Sequence, residues 1–153
     1  MQREMQRLYN SGFEIEPRIL LISCTYSLPF FSEDMFSMLD FMAIYSNEFA
    51  PGVPNLHGDN SFKFSEVAAK KESVRAAIKR LVCEGFLNVI VEKGFMYQIT
   101  DSGKKYADSL ESSYAIQYKY NLLEIQKRYS NYTEQDLSVL IREKAVKSGR
   151  EEV

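Results

Sequence analysis

The segment from Ser65 to Gly103 constrains the fold of this chain more than any other. Its first part repeats apolar residues at helical spacing, which gathers them onto one face. These residues are Val67, Val74, Ile78, Leu81 and Val82. Gly85 follows, where a helix can end in a left-handed cap. Two β-branched and aromatic runs, 87–91 and 95–99, then flank a glycine-containing turn and predict a hairpin. With a new helix capped at 101–102, this is the layout of a winged helix.

The composition is typical of an ordinary globular protein. The chain has 153 residues, of which 45% are apolar and 26% charged, and its net charge is −2. Such a near-neutral balance indicates no strong attraction to phosphate. The first dozen residues are too polar for a signal peptide, and the longest apolar run, 19–31, is too short to cross a membrane. We therefore expect a cytoplasmic protein with no membrane partner.

Three segments are expected along the chain. Residues 1–12 form a polar arm, 13–103 a winged-helix domain, and 104–153 a C-terminal helical extension. The predicted fold class is mainly α (α+β), with a two-stranded wing and a long helical extension. Within the extension, one helix is predicted from Ser102 to about Tyr129, about 40 Å long at 1.5 Å per residue. Because a small domain cannot cover that length, part of this helix is expected to project.

Two further helices are predicted before the wing, and one after the long helix. One lies between Glu16 and Pro29, and Ser32 caps the next, which is apolar on nearly all sides and should be central. Thr133 with Asp136 predicts a capping box for the last helix.

The predicted recognition helix gives only a weak case for DNA binding. Its candidate DNA contacts are Arg75, Lys79 and Arg80, which would reach phosphates. The face that carries them is mixed in charge, and the helix has no Asn or Gln to read base edges. Because 67–74 contains no Gly, Pro or Asn, this segment is also predicted as one continuous helix without the turn of a helix-turn-helix.

A long loop, 50–60, replaces that turn, and it carries the only histidine, His57. No second catalytic group, glycine-rich phosphate loop or metal-ligand spacing accompanies His57, and Cys24 and Cys83 stand alone. We therefore expect no enzyme activity, no cofactor and no metal. A structural or partner-contact role is favoured for the loop.

Candidate partner contacts come from this loop and from the tyrosine-rich helix. The aromatic stripe on that helix either covers the core or forms a protein interface, for which tyrosine is well suited. The candidate partner-binding residues are Asn55, Leu56, His57, Gly58, Tyr114 and Tyr118.

The sequence resembles a known family, the middle component (small subunit) of ABC-three-component, Lamassu-type anti-phage defence systems. The resemblance covers roughly 13–120, and its most specific part is the Asn-Leu-His-Gly loop after Leu-Asp-Phe. The residues that carry it are Phe13 to Leu20, Leu39-Asp40-Phe41, Tyr45-Ser46, Pro54 to Gly58, Ser65-Glu66, Ala77 to Gly85, Tyr97 to Gly103 and Tyr114-Ala115.

The resemblance implies a non-catalytic bridging or regulatory subunit. Its partners would be an SMC-like coiled-coil ATPase and an effector, commonly a nuclease, with a DNA contact possible inside the complex. The alternative from another class is a dimeric winged-helix transcription regulator. It would dimerise through the helix predicted from Ser102 to Tyr129 and contact DNA through the three basic residues named above.

Overall fold

The protein is described by a computed structural model that covers residues 14–58 and 62–151, so the predicted arm lies outside the described residues. Helices precede and follow a single hairpin in this part of the chain. The helices before it are α1 (Ile15–Thr25), α2 (Glu33–Ile44), α3 (Ser46–Phe49), α4 (Ser65–Ala69) and α5 (Lys71–Cys83). The hairpin is β1 (Leu87–Glu92) and β2 (Gly94–Ile99). The helices after it are α6 (Asp101–Asp108), α7 (Ser113–Tyr129) and α8 (Glu134–Glu151).

Helix α2 is the centre of the fold, as its all-round apolar character predicts. The Ser32 hydroxyl accepts a hydrogen bond from the Met35 N–H at 3.0 Å, which confirms the predicted N-cap. Every residue from Met35 to Ile44 is buried. Helices α1, α5, α7 and α8 all pack against α2, so the helices after the hairpin share one core with those before it.

The predicted hairpin is confirmed. Strands β1 and β2 pair antiparallel, with Leu87 opposite Ile99 and Val91 opposite Phe95. Gly94 at the tip has a φ of 93°, and Gly85, which follows α5, has a φ of 80°, both values that favour glycine. Phe31 adds one isolated antiparallel bridge to Tyr97 and ties the α1–α2 connection to the outer edge of β2.

The continuous helix predicted through 67–74 is wrong, because the chain breaks at Lys70 into α4 and α5. Lys70 has φ −88° and ψ −6°, a conformation open to any residue, so no glycine or proline marks the break. The two helices then bury different amounts of their apolar side chains: Val67 on α4 is half-buried and Val74 on α5 is fully buried.

The single helix predicted from Ser102 to about Tyr129 is also wrong, because residues 109–112 separate α6 from α7. Leu110 turns into the core there, and the Ser112 hydroxyl caps α7 by accepting from the Ala115 N–H at 3.1 Å. Helix α7 has 17 residues and is therefore about 25 Å long. Its buried residues run from Ala115 to Tyr129, so it lies along the core and does not project.

Side chains cap the N-termini of both α6 and α8. Thr100, rather than 101 or 102, caps α6 by accepting from the Gly103 N–H at 3.0 Å. The capping box of α8 is confirmed: Thr133 and Asp136 each accept a hydrogen bond from the other's backbone N–H, at 3.1 and 3.0 Å. None of the described helices combines the length and apolar character needed to cross a membrane. The mainly helical architecture with one hairpin and a C-terminal helical region is consistent with the predicted α+β, winged-helix-like class.

Candidate functional site

A buried ion pair between α1 and α2 forms the base of the candidate site. Arg18 is 3% exposed and Asp40 is 4% exposed. Two hydrogen bonds join them, from Nε to Oδ1 at 2.8 Å and from Nη2 to Oδ2 at 3.2 Å. Burial alone would lower the pKa of the guanidinium, but the Asp40 carboxylate outweighs it and raises that pKa, so Arg18 keeps its charge.

Tyr118 on α7 is a third member of this buried group and also contacts Asp40. Its hydroxyl donates to Asp40 Oδ1 at 2.6 Å, and its side chain has no exposed surface. Burial, together with the nearby carboxylate, raises the pKa of Tyr118 well above 10.0. Tyr118 was predicted as a partner contact, but it lies in the core, where a partner cannot reach it without unfolding α7.

Tyr114 connects this buried pair to the surface. It lies one turn before Tyr118, and its hydroxyl oxygen is 2.7 Å from His57 Nε2. Arg18 also hydrogen-bonds to Tyr114, while burial raises the pKa of the phenol to about 12. Because Arg18 can only donate, we assign the Tyr114 hydroxyl as the donor to His57 Nε2. The structure therefore brings together two of the predicted partner-binding residues, His57 and Tyr114.

The surroundings of His57 favour the neutral form of its ring. Burial lowers its pKa from 6.5, and the positive charges of Arg18 and Lys70 lower it further. A neutral imidazole leaves Nε2 free to accept the proton of Tyr114, with the other nitrogen carrying the ring hydrogen.

The segment 50–58, here called the histidine loop, is ordered by backbone and side-chain hydrogen bonds. The Leu56 N–H donates to the Ile44 carbonyl at 2.9 Å, and the Leu56 side chain packs half-buried against the core. The Asn55 side chain accepts from the Asn47 N–H at 3.0 Å. These contacts leave His57 and Gly58 exposed at the end of the loop.

Asn121 on α7 hydrogen-bonds to the histidine loop and to the residues just before it. Its buried Nδ2 lies 3.0 Å from the Ala43 carbonyl, 2.9 Å from Ser46 Oγ and 3.1 Å from the Pro54 carbonyl. Ser46 Oγ in turn donates to the same Pro54 carbonyl at 2.9 Å. One helix therefore positions the loop twice, through Asn121 at Pro54 and through Tyr114 at His57.

The polar groups of the site are paired with one another. Asp40 is engaged by Arg18 and Tyr118, and His57 Nε2 by Tyr114. In the described ranges, no group of three or more His, Cys, Asp or Glu side chains could hold a metal ion.

The candidate DNA contacts lie on the exposed face of α5, but acidic side chains hold two of them. Arg75 Nε donates to Glu33 Oε2 at 3.3 Å, and Arg80 Nε lies 3.1 Å from Glu16 Oε1, an ion pair without good hydrogen-bond alignment. Lys79 is exposed. These carboxylates offset part of the positive charge that the two arginines would offer a phosphate.

Three residues of the site were missed as functional residues from sequence: Arg18, Asp40 and Asn121. The sequence indicates such residues only by placing a polar side chain at a position that helical periodicity assigns to the core. Asp40 stands among apolar neighbours on α2, and Asn121 stands three residues after Tyr118 and next to Leu122 on the buried stripe of α7. Because buried polar groups need partners, such residues mark an internal network even when the partner is unknown.

Comparison with protein families gives one match that covers nearly the whole chain. The family model described as "ABC-three component (ABC-3C) system Middle Component 2" matches residues 8–151. The match includes all the residues of the ion pair, the histidine loop and α7. Searches of curated proteins and of solved structures gave no significant match.

Proposed function

Because the chain belongs to the ABC-three-component Middle Component 2 family, we propose that it is a non-catalytic, bridging subunit of a bacterial anti-phage defence complex. The observation that carries this proposal is the family match over residues 8–151. In the finer form of the proposal, which rests on the resemblance to Lamassu-type systems, the chain connects an SMC-like coiled-coil ATPase to an effector nuclease. The role proposed here requires no catalytic residue and no cofactor in this chain.

The histidine loop is the surface that we assign to partner binding. Its exposed end carries His57 and Gly58, with Asn55, Leu56 and Tyr114 half-buried behind them. Fixing the loop through Asn121 and Tyr114 lowers the conformational entropy that binding would otherwise cost. A loop held in this way supports specific docking of a folded partner.

The test is co-purification. The chain is expressed with the products of its neighbouring genes, purified through a tag on this chain, and the eluate is identified by mass spectrometry. We expect recovery of a large coiled-coil ATPase in a stable complex. Recovery of the chain alone, at concentrations where the neighbouring proteins are soluble, would contradict the bridging role.

A pair of matched variants tests the histidine loop within the same assay. His57→Asp places a negative charge on the exposed end of the loop, and Asn131→Asp places the same charge in the exposed turn between α7 and α8. We expect His57→Asp to lose the partner and Asn131→Asp to keep it, with both variants folded by circular dichroism. Equal recovery with both variants would move the interface elsewhere.

A dimeric DNA-binding regulator is the competing proposal. The observation in its favour is that Arg75 and Lys79, one helical turn apart, both lie exposed on α5. It predicts salt-dependent DNA binding by the isolated chain, which Lys79→Glu weakens. Fluorescence anisotropy with duplex DNA at two salt concentrations separates this proposal from the bridging role.

A further inference from the structure

The outer edge of β1 carries backbone groups that have no partner among the residues the structure describes. Tyr97 exchanges two hydrogen bonds with Phe31, at 2.8 and 2.9 Å, so its N–H and C=O point away from β1. Tyr97 lies opposite Val89, and residues opposite each other in an antiparallel pair point their backbone groups the same way, both inward or both outward. The N–H and C=O of Val89 therefore point outward, as do those of Val91 two residues on. Neither valine has a backbone hydrogen bond outside the hairpin to any described residue.

The side chains beside this edge are apolar and exposed. Val91 is 71% exposed, Phe95 is 68% exposed and Val89 is 44% exposed. Period-two alternation and the strand register place all three on one face of the hairpin, together with Tyr97. A free edge strand is normally protected by charged side chains, proline or a bulge, and β1 has only one such residue, Glu92 at its last position. The edge therefore has the properties of a pairing surface.

We propose that β1 pairs antiparallel with β1 of a second copy of this chain, about a twofold axis at Ile90. In this register Val89 of each copy lies opposite Val91 of the other, and the outward backbone groups of each pair exchange two hydrogen bonds. The result is a four-stranded sheet. It is independent of the bridging role and uses a surface distant in sequence from the histidine loop.

The side chains fit a second copy because the edge is complementary to itself. Across the sheet, Phe95 and Val91 of one copy continue into Val89 and Tyr97 of the other, and the twofold axis repeats this row in reverse. Cross-strand pairs of aromatic and β-branched residues are among the most favourable in sheets. Asn88 faces Glu92 of the second copy, so no like charges lie opposite each other.

The pairing closes at two copies. The other edge of the hairpin belongs to β2, and Phe31 already occupies it at Tyr97, while the outward backbone groups of Phe95 lie beyond that bridge, near the tip. An isologous pairing through β1 uses the same edge in both copies, so it gives a closed dimer instead of a growing fibre. Helix α7 carries a second exposed apolar stripe, formed by Ile116, Tyr120 and Leu123. Its backbone is hydrogen-bonded within the helix, so it could form only a side-chain interface, and this is the alternative dimer interface that the test must distinguish.

The test is sedimentation velocity of the full chain over a concentration series, with two matched variants at one position. Val91→Pro removes the outward N–H without removing any hydrogen bond of the hairpin, and proline is tolerated at such an edge position. Val91→Thr keeps the N–H and the β-branched shape. We expect a wild-type monomer–dimer equilibrium that Val91→Pro weakens about tenfold or more, through two lost hydrogen bonds per dimer, and that Val91→Thr changes only a few-fold.

Amide hydrogen exchange of the wild type provides a readout that needs no variant. The Val89 and Val91 amides should become protected as concentration rises, while the Ile90 amide, bonded within the hairpin, stays protected throughout. A wild type that remains monomeric would overturn the proposal. So would a dimer that survives Val91→Pro and is lost in Ile116→Glu, because that result places the interface on α7.

Discussion

Replacing Asp40 by Asn is the most direct test of the energetics inferred for the buried ion pair. The change keeps the size of the side chain but removes the charge that compensates Arg18. It also replaces one carboxylate oxygen by an NH2 group. In one orientation this group faces Arg18 Nη2, donor against donor, where Oδ2 now accepts at 3.2 Å. The flipped orientation sets it against Arg18 Nε and Tyr118 instead.

The expected cost follows from the burial of both partners. Breaking a fully buried ion pair by removing one charge costs about 3–5 kcal/mol, against a typical total stability of about 5–15 kcal/mol. For a chain of this size, each kcal/mol lowers the melting temperature by about 2–4 °C, so a fall of about 10 °C is expected. Tyr118→Phe removes one hydrogen bond to the same carboxylate and should cost about 2 kcal/mol.

Urea unfolding followed by circular dichroism measures both variants and their double mutant. The double mutant should cost clearly less than the sum, because both changes act on one carboxylate. Arg18→Met with Asp40→Leu is the control, since removing both charges leaves none unpaired and should recover much of the loss. A loss of unfolding free energy below about 1 kcal/mol for Asp40→Asn would show that the Arg18–Asp40 ion pair is not shielded from water. Simple additivity with Tyr118→Phe would show that Asp40 and Tyr118 are not energetically coupled.

Three further predictions concern single positions. The pKa of His57 is lowered in the folded state, so as pH falls the ring is protonated in the unfolded chain before it is protonated in the folded one. The free energy of folding that the neutral ring contributes is therefore fully present above pH 6.5 and is lost below it. The urea midpoint of wild type relative to His57→Gln should therefore fall between pH 7 and 5, and parallel curves would contradict this. Gly103→Ala should destabilise by about 2 kcal/mol, because its Cβ would lie 2.4 Å from the Phe86 carbonyl oxygen, whereas Gly149→Ala in open space on α8 should stabilise by up to about 1 kcal/mol. Thermal denaturation distinguishes the two signs. Asn121→Leu should make the histidine loop sensitive to limited proteolysis, with cleavage between 50 and 58, and unchanged cleavage would show that Asn121 does not hold the loop.

The features that the sequence predicts correctly are those that local rules determine. The hairpin, the Ser32 cap and the Thr133 capping box each depend on residues within a few positions of one another. Gly85 and Gly94 are recognisable because their positive φ values restrict the choice of residue.

The two helix breaks were missed for different physical reasons. Lys70 adopts backbone angles that every residue can adopt, so residue type carries no signal there. The 109–112 break does have one, because Ser112 is a good N-cap, but the tyrosine periodicity on both sides conceals it.

The candidate site was predicted only in part because its contacts are long-range. The histidine loop was identified as a loop, and His57 as its notable residue. That Asn121 bonds to Pro54 and Tyr114 to His57 depends on helix packing, which composition and periodicity do not determine. Arg18 and Asp40 lie 22 positions apart and meet only when α1 and α2 pack together.

The dependence of the histidine loop on α7 has a consequence for the order in which the chain can fold during synthesis. Tyr118 bonds to a residue 78 positions earlier, Asn121 to one 78 positions earlier, and Tyr129 to one 80 positions earlier. A nascent chain that has emerged only as far as the hairpin lacks all three bonds, and its Asp40 lacks one of its partners. The loop therefore acquires its folded conformation late, once α7 has left the ribosome, so in the proposed role an incomplete chain cannot capture a partner before its own core is closed.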